Sequence, residues 1–149
     1  MIRVFTKSAL ETIDLGQRIA KEFKGGEVVA LIGALGTGKT TLTQGILKGL
    51  GFKAEATSPT FILMDVYPAK HGKIRHLCHV DAYRLNDERE LLDIGIEEYL
   101  GVNDSVTIIE WADKVVKLLP ANYLKIEGHH GKSANERWYT IERIQPNKA

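Results

Sequence analysis

The sequence has one cysteine, Cys78, and no apolar run that approaches the roughly 20 residues needed to span a membrane. A single cysteine excludes an internal disulfide framework and suits a reducing compartment. Residues 1–5 have neither the basic nor the apolar region of a secretory signal peptide. We therefore expect a soluble cytoplasmic protein with no membrane association.

The sequence also has little net charge, because 20 basic residues face 19 acidic ones and give a formal charge of +1. Proteins that bind DNA or RNA through their overall charge have a clear basic excess. Composition therefore gives no argument for non-specific nucleic-acid binding, and we expect any link to nucleic acid to be indirect.

Internal repeats and low-complexity linkers are absent as well, which argues against a modular chain. The length of 149 residues and the hydrophobic content of 44% suit one globular domain with a substantial core. We predict a single domain over residues 1–149, in which residues 145–149 form a frayed tail.

The feature that dominates the sequence is G-x-x-x-x-G-K-T at residues 33–40, the phosphate-binding loop or Walker A motif. It follows an apolar run at residues 28–32 and precedes apolar residues at helical spacing. This strand-loop-helix context favours a nucleotide site over the alternative, a plain glycine turn. Lys39 would supply a mobile charge for the terminal phosphates, and Thr40 would offer its hydroxyl to magnesium.

Strand and helix patterns are mixed along the chain. Strands are expected at residues 2–5, 28–32, 61–67, 74–82, 106–110, 123–128 and 137–144. Helices are expected after the S-x-x-E capping box that starts at Ser8, from about Gly38, from Asn86 or Asp87 to Leu92, and over residues 113–119. Residues 68–73 are too few for a crossover helix, so the strands on either side should pair antiparallel. The pattern predicts a three-layer α/β domain of the P-loop NTPase type with a mixed sheet, and a nucleotide at the carboxyl edge of its central strands.

Two acidic residues, Asp81 and Glu110, end apolar strands. Magnesium prefers oxygen ligands and keeps several waters, so one carboxylate could bind it directly while the other orients a water. The sequence does not assign these two roles, and either acid could instead only end its strand. Thr60 could sense the terminal phosphate or could begin a strand, and the residues alone favour neither.

Four motifs in this order closely resemble the TsaE family, also called YjeE, the small P-loop ATPases of bacterial threonylcarbamoyladenosine tRNA modification. They are L-G-x-G-K-T-T at residues 35–41, S-P-T-F at 58–61, H-x-D-x-Y-R-L at 79–85 and I-E-W at 109–111. The resemblance covers nearly the whole chain. It implies a protein that binds and hydrolyses ATP with Mg²⁺ and acts on the TsaB and TsaD pair, with tRNA involved only indirectly.

The resemblance also implies roles for individual residues. The catalytic residues would be Glu110, Asp81 and Thr60, and the metal residues Thr40, Asp81 and Glu110. ATP or ADP would be bound by Ala9, Gly33, Gly36, Thr37, Gly38, Lys39, Thr40, Thr41, Trp111 and Arg137, with the base and ribose between Ala9 and Arg137. The chain has Ala34 where the family usually has Asp and Ala112 where it usually has Pro. Binding should survive both departures, whereas hydrolysis rates should not be transferred from relatives that have the loop acid.

Three other functions fit parts of the sequence. A small-molecule phosphotransferase shares the loop, and residues 86–101 could be its lid. A GTP-driven switch would need N-K-x-D, whereas Asn147 and Lys148 are followed only by Ala149. A partner-binding module with a purely structural loop would have no measurable affinity for ATP.

Overall fold

The computed structural model describes residues 1–34, 36–52 and 63–146. The strands are β1 (Ile2–Thr6), β2 (Val28–Gly33), β3 (Met64–His71), β4 (Ile74–Asp81), β5 (Ser105–Glu110), β6 (Tyr123–His130) and β7 (Arg137–Ile144). The helices are α1 (Ala9–Lys21), α2 (Lys39–Gly49) and α3 (Arg89–Asp93), with 3-10 turns at Ile96–Glu98, Ala112–Lys114 and Val116–Leu118.

In this described part the strands form one seven-stranded sheet with the order β1-β7-β6-β2-β5-β4-β3. The central strands β6, β2, β5 and β4 are parallel. Strand β3 pairs antiparallel with β4, as expected for the short connection, and β7 is antiparallel to both β6 and β1. The predicted α/β fold with a mixed sheet is therefore confirmed. Because the central strands are parallel, their carboxyl ends meet at one edge.

The central sheet is covered on both faces. Successive side chains of a strand point to opposite faces, and along β2 they enter two different cores. Val29 and Leu31 belong to the core that includes residues of α1 and α2. Val28 and Ala30 belong to the core that includes Leu91, from α3, and residues of the 3-10 turns. The sheet thus lies between two helical layers, as the sequence predicts.

Helix α1 begins at the predicted cap and packs closely against α2. The Ser8 hydroxyl accepts a hydrogen bond from the Glu11 N–H at 3.1 Å, and the Glu11 carboxylate accepts one from the Lys7 N–H at 3.0 Å. Where the two helices meet, a Cβ atom on Gly45 would lie 2.2 Å from the Ile13 carbonyl oxygen, so the glycine permits the contact. This packing fixes the position of α2, whose first two residues, Lys39 and Thr40, are the last two of the phosphate-binding motif.

Some predicted boundaries are wrong. Residues 113–119 form two 3-10 turns instead of a helix, because Trp111 has a left-handed backbone and Val115 has an extended φ of −130°. Helix α3 starts at Arg89, whose N–H donates to the Asp87 carboxylate, and ends at Asp93. The first strand of the hairpin is described from Met64 onwards. Residues 53–62, which include the whole S-P-T-F motif, and residues 147–149 lie outside the described residues.

No helix among the described residues is long and apolar enough to cross a membrane.

Candidate functional site

The phosphate-binding motif lies where β2 passes into α2, at the carboxyl edge of the central strands. Gly38 caps α2 with a φ of +87°, and a Cβ atom there would lie 2.6 Å from the hydroxyl oxygen of Tyr139. Only glycine combines this backbone conformation with so close an approach. The first N–H groups of α2 lack acceptors within the helix, so they and the helix dipole favour an anion at this end.

Lys39, at the start of α2, is held against the loop that precedes it. Its ammonium group donates to the carbonyl oxygens of Gly33 at 2.7 Å and Ala34 at 2.9 Å. The side chain is largely buried, and burial lowers the pKa of Lys39, an effect opposed by the nearby carboxylates, chiefly that of Glu110. This ammonium group, beside the unpaired N–H groups at the start of α2, provides strong attraction for phosphate oxygens.

The two acidic residues predicted from strand ends lie side by side. Asp81 and Glu110 are register partners on the parallel strands β4 and β5. Glu110 is 3% exposed, and its Oε2 atom lies 2.5 Å from Nε2 of His79. Burial raises the pKa of the Asp81 carboxyl, the N–H donated by Tyr83 opposes this shift, and the Glu110 carboxylate adds to it. The carboxyl groups of Asp81 and Glu110 therefore lie close together in a partly desolvated environment.

One cavity of about 360 Å³ brings most of the predicted site residues together. It is lined by Gly36, Gly38, Lys39, Thr40, Thr41, Asp81, Glu110, Trp111 and Arg137. Its volume is within the range of small-molecule sites, roughly 300–1,000 Å³. The combination of a helix N-terminus, a lysine and two carboxylates suits a phosphate chain with a divalent cation.

The remaining predicted residues take other positions. Ala9 lines a second cavity of about 100 Å³, which shares Gly38, Thr41 and Arg137 with the first. Gly33 and Thr37 do not line either cavity and instead act within the loop, where the Thr37 hydroxyl donates to the Ala34 carbonyl at 2.8 Å. Thr60 lies outside the described residues.

Two residues that the sequence analysis left without a role support this site. The hydroxyl of buried Tyr139, on β7, donates to the Thr37 carbonyl at 2.8 Å and so anchors the loop from a strand that is 102 residues away in the chain. His79, fully buried, contacts Glu110. A signal for His79 was available, since the i, i+2 spacing from Asp81 places both on one face of a strand. Such a signal does not exist for Tyr139.

A row of cationic and aromatic groups, which we call the ring stack, leads from the loop to the surface. The Lys39 ammonium lies 4.6 Å from the centre of the Trp111 ring, which is 4.9 Å from the Tyr83 ring. Tyr83 is 44% exposed, and the Lys114 ammonium lies over its ring, 5.2 Å from the ring centre. Among the described residues other than glycine, Trp111 alone has a positive φ, at 58°. This strained backbone, at the end of β5, turns the tryptophan out of the strand direction.

The Asp81→Asn variant is expected to be more stable than the parent at pH 7 by about 0.5–2 kcal/mol, because it removes a desolvated charge beside Glu110. A carboxyl whose folded-state pKa is raised destabilises the fold as pH rises above its unfolded-state pKa. The stability advantage of Asp81→Asn over the parent should therefore shrink as pH falls from 7 to 4. Urea unfolding at both pH values measures this difference in the free energy of unfolding, with Asp65→Asn as the charge-matched control. A variant that is less stable than the parent at pH 7 would contradict this expectation.

Comparisons with known proteins agree with one another. The family model described as "Threonylcarbamoyl adenosine biosynthesis protein TsaE" matches residues 6–138. The Streptomyces coelicolor protein named tRNA threonylcarbamoyladenosine biosynthesis protein TsaE is 43% identical over 116 residues, which cover 76% of this chain and 75% of the relative. A protein of the same name from Treponema pallidum is 40% identical over 119 residues, which cover 80% of this chain and 84% of the relative.

A solved structure is also similar. The crystal structure of YdiB from Bacillus subtilis superposes with a TM-score of 0.76 and 29% sequence identity. The superposition covers 96% of this chain and 84% of YdiB, so the similarity extends over the whole sheet and its helical layers.

Proposed function

The chain belongs to the TsaE family of tRNA threonylcarbamoyladenosine biosynthesis proteins, and from this premise we propose that it is a Mg²⁺-dependent ATPase of that pathway. The observation that carries the proposal is the cavity of about 360 Å³, which Lys39 and the N-terminus of α2 line together with Asp81 and Glu110. The positive groups suit a triphosphate, and the carboxylates suit its metal.

The residues around the cavity fit a magnesium ion that is bound together with a nucleotide. No group of three or more His, Cys, Asp or Glu side chains in the described part of the chain could hold a metal on its own. Magnesium usually keeps waters and takes only one or two carboxylates, completing its coordination with substrate phosphates. Thr40, Asp81 and Glu110 would hold it, and when bound it would neutralise charge on the phosphates that react.

We assign the chain's own residues the following roles. The backbone N–H groups of residues 36–41 bind the phosphates, and Lys39 moves its ammonium from the carbonyls of Gly33 and Ala34 to the terminal phosphates. Glu110, which is 3% exposed, would orient the attacking water. Asp81, which also lines the cavity, would hold waters of a bound magnesium ion. The base and ribose of ATP or ADP lie toward Ala9 and Arg137, where the two cavities share lining residues.

We further propose that TsaD and TsaB are the partners, that tRNA is involved only through them, and that the protein acts in the cytoplasm. The ring stack supports a partner role, because Tyr and Trp are enriched in interfaces and Tyr83 is exposed beside the cavity. The unpaired, buried thiol of Cys78 suits a reducing compartment.

A small-molecule phosphotransferase has less support. It would need a segment that closes over an acceptor, for which the sequence offered residues 86–101. In the structure Leu91 and Ile96 of this segment are fully buried in one of the cores. The segment is therefore part of the packed domain and has little freedom to act as a lid.

Lys39→Ala is expected to lower ATP affinity about tenfold to a hundredfold, because a hydrogen bond to a charged group contributes roughly 1.5–3 kcal/mol. Calorimetric titration with ATP and Mg²⁺ measures this. Lys48→Ala is the matched control, since Lys48 is an exposed lysine of the same helix. A parent chain without measurable ATP affinity, or a Lys39→Ala variant with parental affinity, would rule out the proposed site.

A further inference from the structure

His79 lies behind the cavity wall, outside the set of residues that would touch a nucleotide. It precedes Asp81 by two residues on β4 and is fully buried. Its Nε2 atom lies 2.5 Å from Oε2 of Glu110, whereas the cavity lining includes Glu110 without His79. The direct contact of the imidazole with the cavity lining is therefore its hydrogen bond to the Glu110 carboxylate.

The chemistry of this contact fixes the donor. An ionised carboxylate only accepts hydrogen bonds, so Nε2 carries the hydrogen and donates it to Glu110. The other ring nitrogen, Nδ1, is buried and has no hydrogen-bond partner in the part of the chain that the structure describes. An unpaired polar atom in a core costs free energy that an apolar side chain would avoid. Packing alone therefore does not explain a histidine at this buried position, whereas its hydrogen bond to Glu110 does.

We propose that His79 is a positioning residue, whose Nε2–H fixes one oxygen of Glu110 and so sets the orientation in which this carboxylate faces the metal and water of the bound nucleotide. The inference rests on the proposed ATPase function. Glu110 is 3% exposed, so solvent cannot hold its carboxylate in place. Hydrogen bonds from outer groups that orient metal-site carboxylates typically matter by about 10- to 100-fold in affinity or activity.

The first test uses two substitutions at this position. His79→Leu removes the donor at similar volume, whereas His79→Gln keeps an N–H close to the place of Nε2. We expect His79→Leu to lower kcat about 10- to 100-fold and to raise the Mg²⁺ concentration for half-maximal rate, with ATP affinity in EDTA within about twofold of the parent. His79→Gln should recover most of the loss. A purely structural role would instead lower thermal stability and leave the Mg²⁺ dependence unchanged.

The second test does not depend on activity. In ¹⁵N-labelled protein the Nε2–H proton of His79 should give a strongly downfield signal, assigned by its loss in His79→Gln. Glu110→Gln should shift this signal, because the acceptor becomes a neutral amide. In a double-mutant cycle, His79→Leu should cost less than about twofold in kcat when Glu110 is already Gln, because the proposed role of His79 requires the Glu110 carboxylate.

The possible results of these experiments distinguish a failure of the His79 proposal from a failure of the proposed ATPase function. A folded His79→Leu variant with parental kcat and Mg²⁺ dependence would overturn the inference, and so would an imidazole signal that Glu110→Gln leaves unmoved. If His79→Leu does not fold, the His79→Gln kinetics and the imidazole signal decide. A parent chain that does not hydrolyse ATP overturns the proposed function. An active parent whose kcat and Mg²⁺ dependence are unchanged by His79→Leu overturns the inference alone.

Discussion

Glu110→Gln is expected to lower Mg²⁺-dependent ATP hydrolysis by about 10²- to 10³-fold, the usual scale for a group that aids proton transfer or stabilises charge in a reaction. Gln keeps the volume and can accept a hydrogen bond but has no negative charge for the metal or for a water proton. The phosphate-binding loop consists mainly of backbone groups, so ATP affinity in EDTA should stay within about threefold of the parent. Steady-state phosphate release and calorimetric titration measure the two effects separately.

The control for this substitution is Glu97→Gln, which removes the same charge at an exposed position of a 3-10 turn. It should leave both hydrolysis and affinity at parental values. If Glu110→Gln hydrolyses ATP at the parental rate, the metal and water roles assigned to the end of β5 are wrong. If it instead loses most of its ATP affinity in EDTA, Glu110 acts on the loop, through Lys39, and has no role specific to the metal.

The sequence predicted the parts of the site that depend on local pattern. An apolar strand that ends in the glycine-rich motif, followed by apolar residues at helical spacing, predicts both the loop and the helix after it. The pairing of Asp81 with Glu110 follows from the fold, since acids that end neighbouring parallel strands must share one edge. The sequence predicted that each acid ends a strand, whereas the sheet order shows that the two strands are neighbours.

Other features depend on distant parts of the chain and left no local signal. The hydroxyl of Tyr139 reaches Thr37 across 102 residues, and an alternating strand pattern does not say which inward residue will meet a loop. The apolar residues at 113–119 suggested a helix. The left-handed Trp111 starts a 3-10 turn instead, and this backbone is held by tertiary contacts, among them the Trp111 N–H bond to the Leu31 carbonyl at 3.0 Å.

The ring stack gives a physical basis for coupling between nucleotide and partner. If Lys39 leaves the Trp111 ring to bind phosphate, the ring loses a cationic contact worth about 0.5–2 kcal/mol. That energy is of the size needed to bias a surface, since coupling free energies of 1–3 kcal/mol change affinity roughly fivefold to 150-fold. The exposed end of the stack, at Tyr83, is where a partner could detect the change. We therefore expect the ATP and ADP forms to differ in their affinity for TsaD and TsaB.

Trp111→Ala is expected to weaken binding to TsaD and TsaB about thirtyfold or more, because interface tryptophans are commonly hot spots of 2 kcal/mol or more. ATP affinity should fall by less than about threefold, since the loop backbone and the α2 N-terminus remain. Immobilised TsaD and TsaB, titrated with each variant in ATP and in ADP, give the partner affinity. Trp138→Ala is the matched control, because Trp138 is the other tryptophan, is also half-buried and stacks on His129 away from the ring stack.

A core role for Trp111 makes a different prediction, in which truncation destabilises the whole fold by about 3–5 kcal/mol. Thermal melting of both tryptophan variants distinguishes the two cases. Trp111 is only half-buried and its ring lies against that of the exposed Tyr83, so we expect a loss of stability smaller than this and similar to that of Trp138→Ala. Parental affinity of Trp111→Ala for TsaD and TsaB in both nucleotide states would show that the ring stack does not transmit the phosphate state, and the coupling would then have to run through another part of the cavity wall.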